Sequence, residues 1–249
     1  MRTLPIASLV CGLLLPFAAL AQEITVSAAA SLTNAFKELA PAFGKANPGA
    51  SVRFNFAASG ALLQQIAQGA PVDVFASADQ ATMDRAAGQS LIEPGSRSDF
   101  ATNSVVLIEP AEGATGLKSV QDLAGPAIKR IAVGKVATVP VGRYTREVLE
   151  HAGLWTQLAP KFVHADSVRQ VLDYVGRGEV EAGFVYATDA AIMEDKVRIV
   201  LAATGHQPVS YPIAVVKDSR RKELGARFVA FLATPPAREI LARYGFGAP

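Results

Sequence analysis

Cysteine is nearly missing from this chain. The single one, Cys11, falls in an apolar stretch at the very start. That excludes a disulfide framework, a thiolate metal site and, past the first residues, a thiol nucleophile. Histidine is scarce as well: His151, His164 and His206 stand alone. No HExxH and no cluster at ligating spacing surrounds them, so a bare metal cation is not expected. Neither GxSxG nor GxxxxGK[ST] occurs, so the usual serine-hydrolase elbow and phosphate loop are missing. Charge of one sign is not in excess either. With 24 basic and 22 acidic side chains the formal net charge is +2, and no like-charge run appears. Nucleic acid is therefore not an expected partner. Tryptophan occurs once, at Trp155, and is expected in the core.

What is present is a large apolar fraction, half of 249 residues. Part of it sits in the leader. Met1-Arg2-Thr3 is basic, Ile6 to Leu20 is apolar apart from Pro16, and Ala19-Leu20-Ala21 matches a small-x-small cleavage pattern. Residues 1–21 read as a secretory signal peptide, so the mature chain is expected to be exported to an oxidising compartment. No later run is apolar enough to span a bilayer, so the protein is not expected to be membrane-embedded.

The rest alternates between strand and helix patterns. Glu23–Ser27, Ser51–Phe56, Val72–Ala76, Asn103–Ile108, Arg130–Gly134, Lys161–Val163, Glu181–Tyr186 and Val197–Leu201 read as strands. Phe36, Leu39, Ala40 and Phe43 share one face of the first helix, and Val168, Val171, Leu172 and Val175 one face of a later one. Asp79 can cap a helix, and Ser119–Ala124 reads as a short one. Short connections between such elements predict βαβ units and an α/β fold with mostly parallel sheets. Two units are expected: 22–102 with 209–249, and 103–208 as an insertion. The chain would cross between them near Phe100–Ser104 and Gln207–Tyr211, leaving a hinged cleft.

Four turns share one chemistry. Ala30-Ser31, Ser59-Gly60, Pro140-Val141-Gly142 and Asp166-Ser167-Val168 each end a strand and open a helix with small or hydroxylated residues. Ser31 taken alone is better explained by helix capping. Parallel strands, however, bring such turns together at their carboxyl ends. There the unpaired N–H groups of helix N-termini make a seat for an anion. Tyr186, at a strand end, adds a phenolic donor to the same edge.

Taken together, Ala28-Ala29-Ala30-Ser31-Leu32, Ala58-Ser59-Gly60, Asp73-Val74-Phe75-Ala76-Ser77-Ala78-Asp79, Val139-Pro140-Val141-Gly142-Arg143-Tyr144, Val185-Tyr186-Ala187-Thr188-Asp189 and Arg243-Tyr244-Gly245-Phe246 resemble the molybdate-binding receptors of bacterial molybdate ABC importers. The resemblance runs from about Glu23 to Phe246. It implies a two-lobed periplasmic binding protein of type II, monomeric and not an enzyme. It would hold molybdate or tungstate between its lobes and pass it to a membrane ABC permease. It implies no cofactor, molybdenum entering only as the oxyanion. By the same resemblance Ser31 and Ser59 give hydroxyl and backbone donors, Val141 and Val168 give backbone N–H groups, and Tyr186 gives its phenol. Some relatives carry a run of serines where this chain has Ala57-Ala58-Ser59-Gly60. Selectivity is therefore open: sulfate or phosphate remains an alternative ligand, and a hydrolase built on Ser31, Ser59 and His164 an alternative of another class.

Overall fold

The computed structural model describes residues 22–249, so the expected leader with Cys11 lies outside the described residues. The chain begins with β1 (Gln22–Ala29), a 3-10 turn at Ala30–Leu32 and α1 (Thr33–Ala46). It continues with β2 (Ala50–Ala57), α2 (Ser59–Ala67), β3 (Val74–Ala76) and α3 (Gln80–Gly88). Then come β4 (Ser98–Asn103) and β5 (Val105–Pro110), with a single residue between them. The middle of the chain holds β6 (Ile131–Gly134), α4 (Pro140–His151), α5 (Trp155–Leu158), β7 (Phe162–Ala165) and α6 (Val168–Gly176). It closes with β8 (Ala182–Tyr186), α7 (Ala187–Ala191) and β9 (Val197–Ala202). The tail is β10 (Val209–Val215), α8 (Lys222–Phe231) and α9 (Pro235–Arg243).

These strands form two five-stranded sheets, ordered β2-β1-β3-β10-β4 and β7-β6-β8-β5-β9. In the first, β2, β1 and β3 are parallel, and β10 pairs antiparallel with both β3 and β4. The second repeats this with β5 as the reversed strand. Four strands of five thus point the same way in each sheet. The edge strand beside each reversed strand runs on into the reversed strand of the other sheet: β4 into β5 through Ser104, and β9 into β10 through residues 203–208. The two lobes are tied at these crossings.

The helices bury the faces that their periodicity predicts. Phe36, Leu39 and Phe43 of α1 are fully buried, as are Val171 and Val175 of α6. Phe228 of α8 packs edge-on against Phe36 and Phe43, with ring centroids 6.0 and 5.2 Å away. At roughly 1.5–3 kcal/mol for a fully buried side chain of this size, this cluster is what returns the tail to the first lobe. Asp79 caps α3 by accepting from the N–H of Thr82.

Three local expectations change. Ser31 caps no helix; it sits inside the 3-10 turn and its side chain turns elsewhere. The short helix near residue 120 is a 3-10 turn at Gln121–Ala124. Trp155 is half-buried, tilted against Phe162 at 4.7 Å between ring centroids, with Arg146 over its ring.

Candidate functional site

The carboxyl ends of β1, β2, β6 and β7 lead into the N-termini of α1, α2, α4 and α6, and these ends face one another across the lobes. Ser31 lies in the 3-10 turn before α1, Ser59 opens α2, Val141 follows Pro140 at the start of α4, and Val168 opens α6. Their backbone N–H groups fall in first turns, where a helix offers no acceptor of its own. Close packing permits this approach. A Cβ on Gly142 would lie 2.0 Å from the carbonyl oxygen of Gly134, so α4 can lie this close to β6 only because residue 142 has no side chain.

A small hollow of about 10 Å³, the room of roughly one water molecule, lies there. Ser31, Ser59, Val141, Val168 and Tyr186 all line it, with the methyl groups of Ala30, Ala58 and Ala78 filling the gaps. Among the described residues no charged side chain and no histidine lines it. Larger hollows occur on the surface, one beside Glu23, Asp73 and Arg221 and one along Asp79, Asp84 and Glu147. Neither gathers the five.

The three side-chain donors are buried and oriented. Ser59 Oγ accepts the N–H of Ala78 at 3.0 Å, which leaves its proton free for the cavity. Ser31 Oγ lies 3.0 Å from the Tyr211 hydroxyl. Tyr186 makes a long 3.4 Å contact to the Ala78 carbonyl. Burial pushes the Tyr186 phenol well above its usual pKa, so it stays protonated and able to donate.

Contacts between the lobes surround the cavity. Arg143 on α4 pairs with Asp79 at 2.5 Å and donates to Thr82 Oγ1 at 2.7 Å. Arg169 on α6 donates to Asn34 Oδ1 at 3.0 Å and to the Ser31 carbonyl at 3.3 Å. Its Nε sits 2.7 Å from Asp189 as an ion pair, without meeting hydrogen-bond geometry. The N–H of Gly60 donates to the Thr138 carbonyl at 2.9 Å. The lobes are closed on one another.

The sequence did not single out Arg169, Asn34, Thr138, Asn103 or Tyr211. Arg143, Asp79 and Asp189 stood inside quoted motifs, with no role between lobes given to them. A pairing 64 residues apart, such as Arg143 with Asp79, leaves no spacing pattern; it follows from the crossing topology.

The family model for bacterial extracellular solute-binding proteins matches residues 24–247. The molybdate-binding protein ModA of Escherichia coli K12 is 38% identical over 250 residues, covering 96% of this chain and 96% of that protein. A putative ABC transporter substrate-binding lipoprotein, YvgL of Bacillus subtilis, is 35% identical over 227 residues, covering 90% and 86%. Among solved structures, the periplasmic molybdate-binding protein of Azotobacter vinelandii superposes with a TM-score of 0.78 at 27% identity, covering 91% of this chain and 99% of that one.

Proposed function

The chain belongs to the bacterial extracellular solute-binding proteins, and from that membership we propose that it is a periplasmic receptor for molybdate. It takes tungstate by the same chemistry, acts as a monomer, and delivers its cargo to a membrane ABC permease. The observation that carries this reading is the cavity itself. Five uncharged donors, two from the first lobe and three, Tyr186 among them, from the second, meet around a space without a single charge. Ser31 and Ser59 come from the first lobe; Val141, Val168 and Tyr186 come from the second.

Such a lining suits a small dianion stripped of water. Oriented amide and hydroxyl dipoles replace its hydration without the cost of burying a counter-charge. A cation finds no carboxylate there. A protonated oxyanion finds no carboxylate to accept its proton, which disfavours hydrogen phosphate. The hydrolase alternative lacks a base, because no histidine reaches Ser31 or Ser59 in the cavity. Each serine oxygen instead accepts or shares a bond with Ala78 or Tyr211.

Binding and closure are one event. Donors from both lobes reach one ligand only when the lobes meet, so the ligand favours the closed state by its differential affinity. A thermal-shift screen of molybdate, tungstate, sulfate, phosphate and chromate tests the reading. At 100 times Kd a ligand adds about 2.7 kcal/mol, a rise of roughly 5–11 °C for a protein of this size. Molybdate and tungstate are expected to give it. A rise with phosphate and none with molybdate overturns the reading.

A further inference from the structure

We infer that Tyr211 and Asn103, neither of which lines the cavity, fix the direction in which Ser31 points its proton. The inference rests on the receptor reading above and concerns how its donors are set. Asn103 is the last residue of β4, at the crossing between lobes. Its Oδ1 accepts the N–H of Ser104 at 2.9 Å, which settles which end of the amide is which. Its Nδ2 then faces two hydroxyls, Thr188 Oγ1 at 2.9 Å and Tyr211 at 3.2 Å. An amide NH₂ can only donate, so the Tyr211 oxygen must accept from it.

The phenol has one proton left to place. Tyr211 is fully buried, and its remaining hydrogen-bond partner is Ser31 Oγ at 3.0 Å. Were Ser31 the donor, the buried phenolic proton would be left without an acceptor, a loss that native interiors avoid. Tyr211 therefore donates to Ser31, and Ser31 must aim its own proton elsewhere. Its side chain lines the cavity, and that is where the proton goes. The result is a chain of donors, Asn103 to Tyr211 to Ser31 to ligand, each bond polarising the next. Ser59 is set the same way in one step, by the N–H of Ala78. Both serines thus keep a proton to present to the dianion, with one lone pair already taken by the protein.

The ring of Tyr211 is gripped by other aromatics, Phe246, Tyr186 and Phe100, with centroids 5.4, 5.9 and 6.2 Å away. Tyr211→Phe therefore keeps the packing and removes the relay. Tyr211 and Asn103 are positioning residues, and the test is whether they act through Ser31. Molybdate is titrated calorimetrically into wild type, Ser31→Ala, Tyr211→Phe and the double variant. Tyr211→Phe should weaken binding by about five- to tenfold, the scale of one net hydrogen bond. The double variant should be no more than about twofold weaker than Ser31→Ala alone, because a residue that works through Ser31 has nothing left to do once it is gone. Asn103→Leu, which removes the donor to Tyr211 without touching the ring, should weaken binding in wild type and not in the Ser31→Ala background. Full additivity of the Tyr211 and Ser31 losses, or Tyr211→Phe binding like wild type, overturns the inference while leaving the receptor reading intact. Wild type that binds no molybdate overturns the reading itself.

Discussion

At the scale of single residues, the site depends on which groups are kept neutral and which are not. The five cavity residues could be named from sequence because each sits at a local signature: a strand-to-helix turn with small or hydroxylated residues, or a phenol at a strand end. Their orienting partners could not. Tyr211 sits 180 positions from Ser31, and a tyrosine in an apolar strand looks like any core residue. Asp189 is the clearest case. It is fully buried beside Arg169 and its carboxyl is pushed up to about 6, burial outweighing the pull of the guanidinium. The native state thus holds this proton more tightly than the unfolded chain, whose carboxyl titrates near 3.8. Its contribution to stability is full below about pH 4, falls as pH rises through 6 and is flat above. Asp189→Asn removes that dependence. Relative to wild type, the variant should gain stability steadily between pH 4 and 6, by up to about 3 kcal/mol, and no further above pH 7. Urea unfolding of both proteins across that range checks it; a difference that is constant with pH would contradict it.

At the scale of elements, the helix N-termini do the positioning, and they were legible because apolar periodicity and turn chemistry agree. Phe36, Leu39 and Phe43 fix the inward face of α1, and Ser167 caps α6 by accepting from the N–H of Gln170. The strand β4 was not legible in full. Ser98–Asn103 carries only Phe100 and Ala101 as buried residues, and its pairing with β10 comes from far along the chain. The backbones of the two lobes meet at Gly60, in the first turn of α2, whose N–H donates to the Thr138 carbonyl. A Cβ there would lie 2.6 Å from the Cα and the carbonyl oxygen of Thr138. These are backbone atoms and cannot swing aside. Gly60→Ala should leave the stability of the unliganded protein within about 1 kcal/mol, the scale of helix propensity, yet weaken molybdate at least tenfold. Small-angle scattering should show that ligand no longer compacts the variant. Wild-type affinity in Gly60→Ala would mean that the closed contact is not needed for binding.

At the scale of the whole molecule, two lobes tied by two crossings make a clamp, and its strength depends on contacts that exist only when it is shut. Most ion pairs here are exposed and worth little. The Arg53 and Glu23 side chains are 69% and 45% exposed, the range in which pairs contribute about 0–1 kcal/mol. Arg143 and Asp79, at 19% and 5%, are largely removed from water and join different lobes. Asp79→Asn keeps the cap on α3, since asparagine caps as well as aspartate, and removes the charge that holds Arg143. Release of molybdate into excess tungstate should then quicken by roughly tenfold, while the association rate changes little. An unchanged release rate would assign closure to the ligand contacts alone. That the fold has two lobes was readable from the rhythm of strands and helices. How the lobes hold each other was not, because every such contact joins residues with no shared local pattern.

The central claim is that a dianion sits among Ser31, Ser59, Val141, Val168 and Tyr186. The most direct test is anomalous X-ray scattering from crystals grown with tungstate. One tungsten peak enclosed by those five residues, its oxygens within about 3.2 Å of their donors, is the predicted result. A peak elsewhere, or tungstate bound beside arginine or lysine side chains with this cavity vacant, would contradict it.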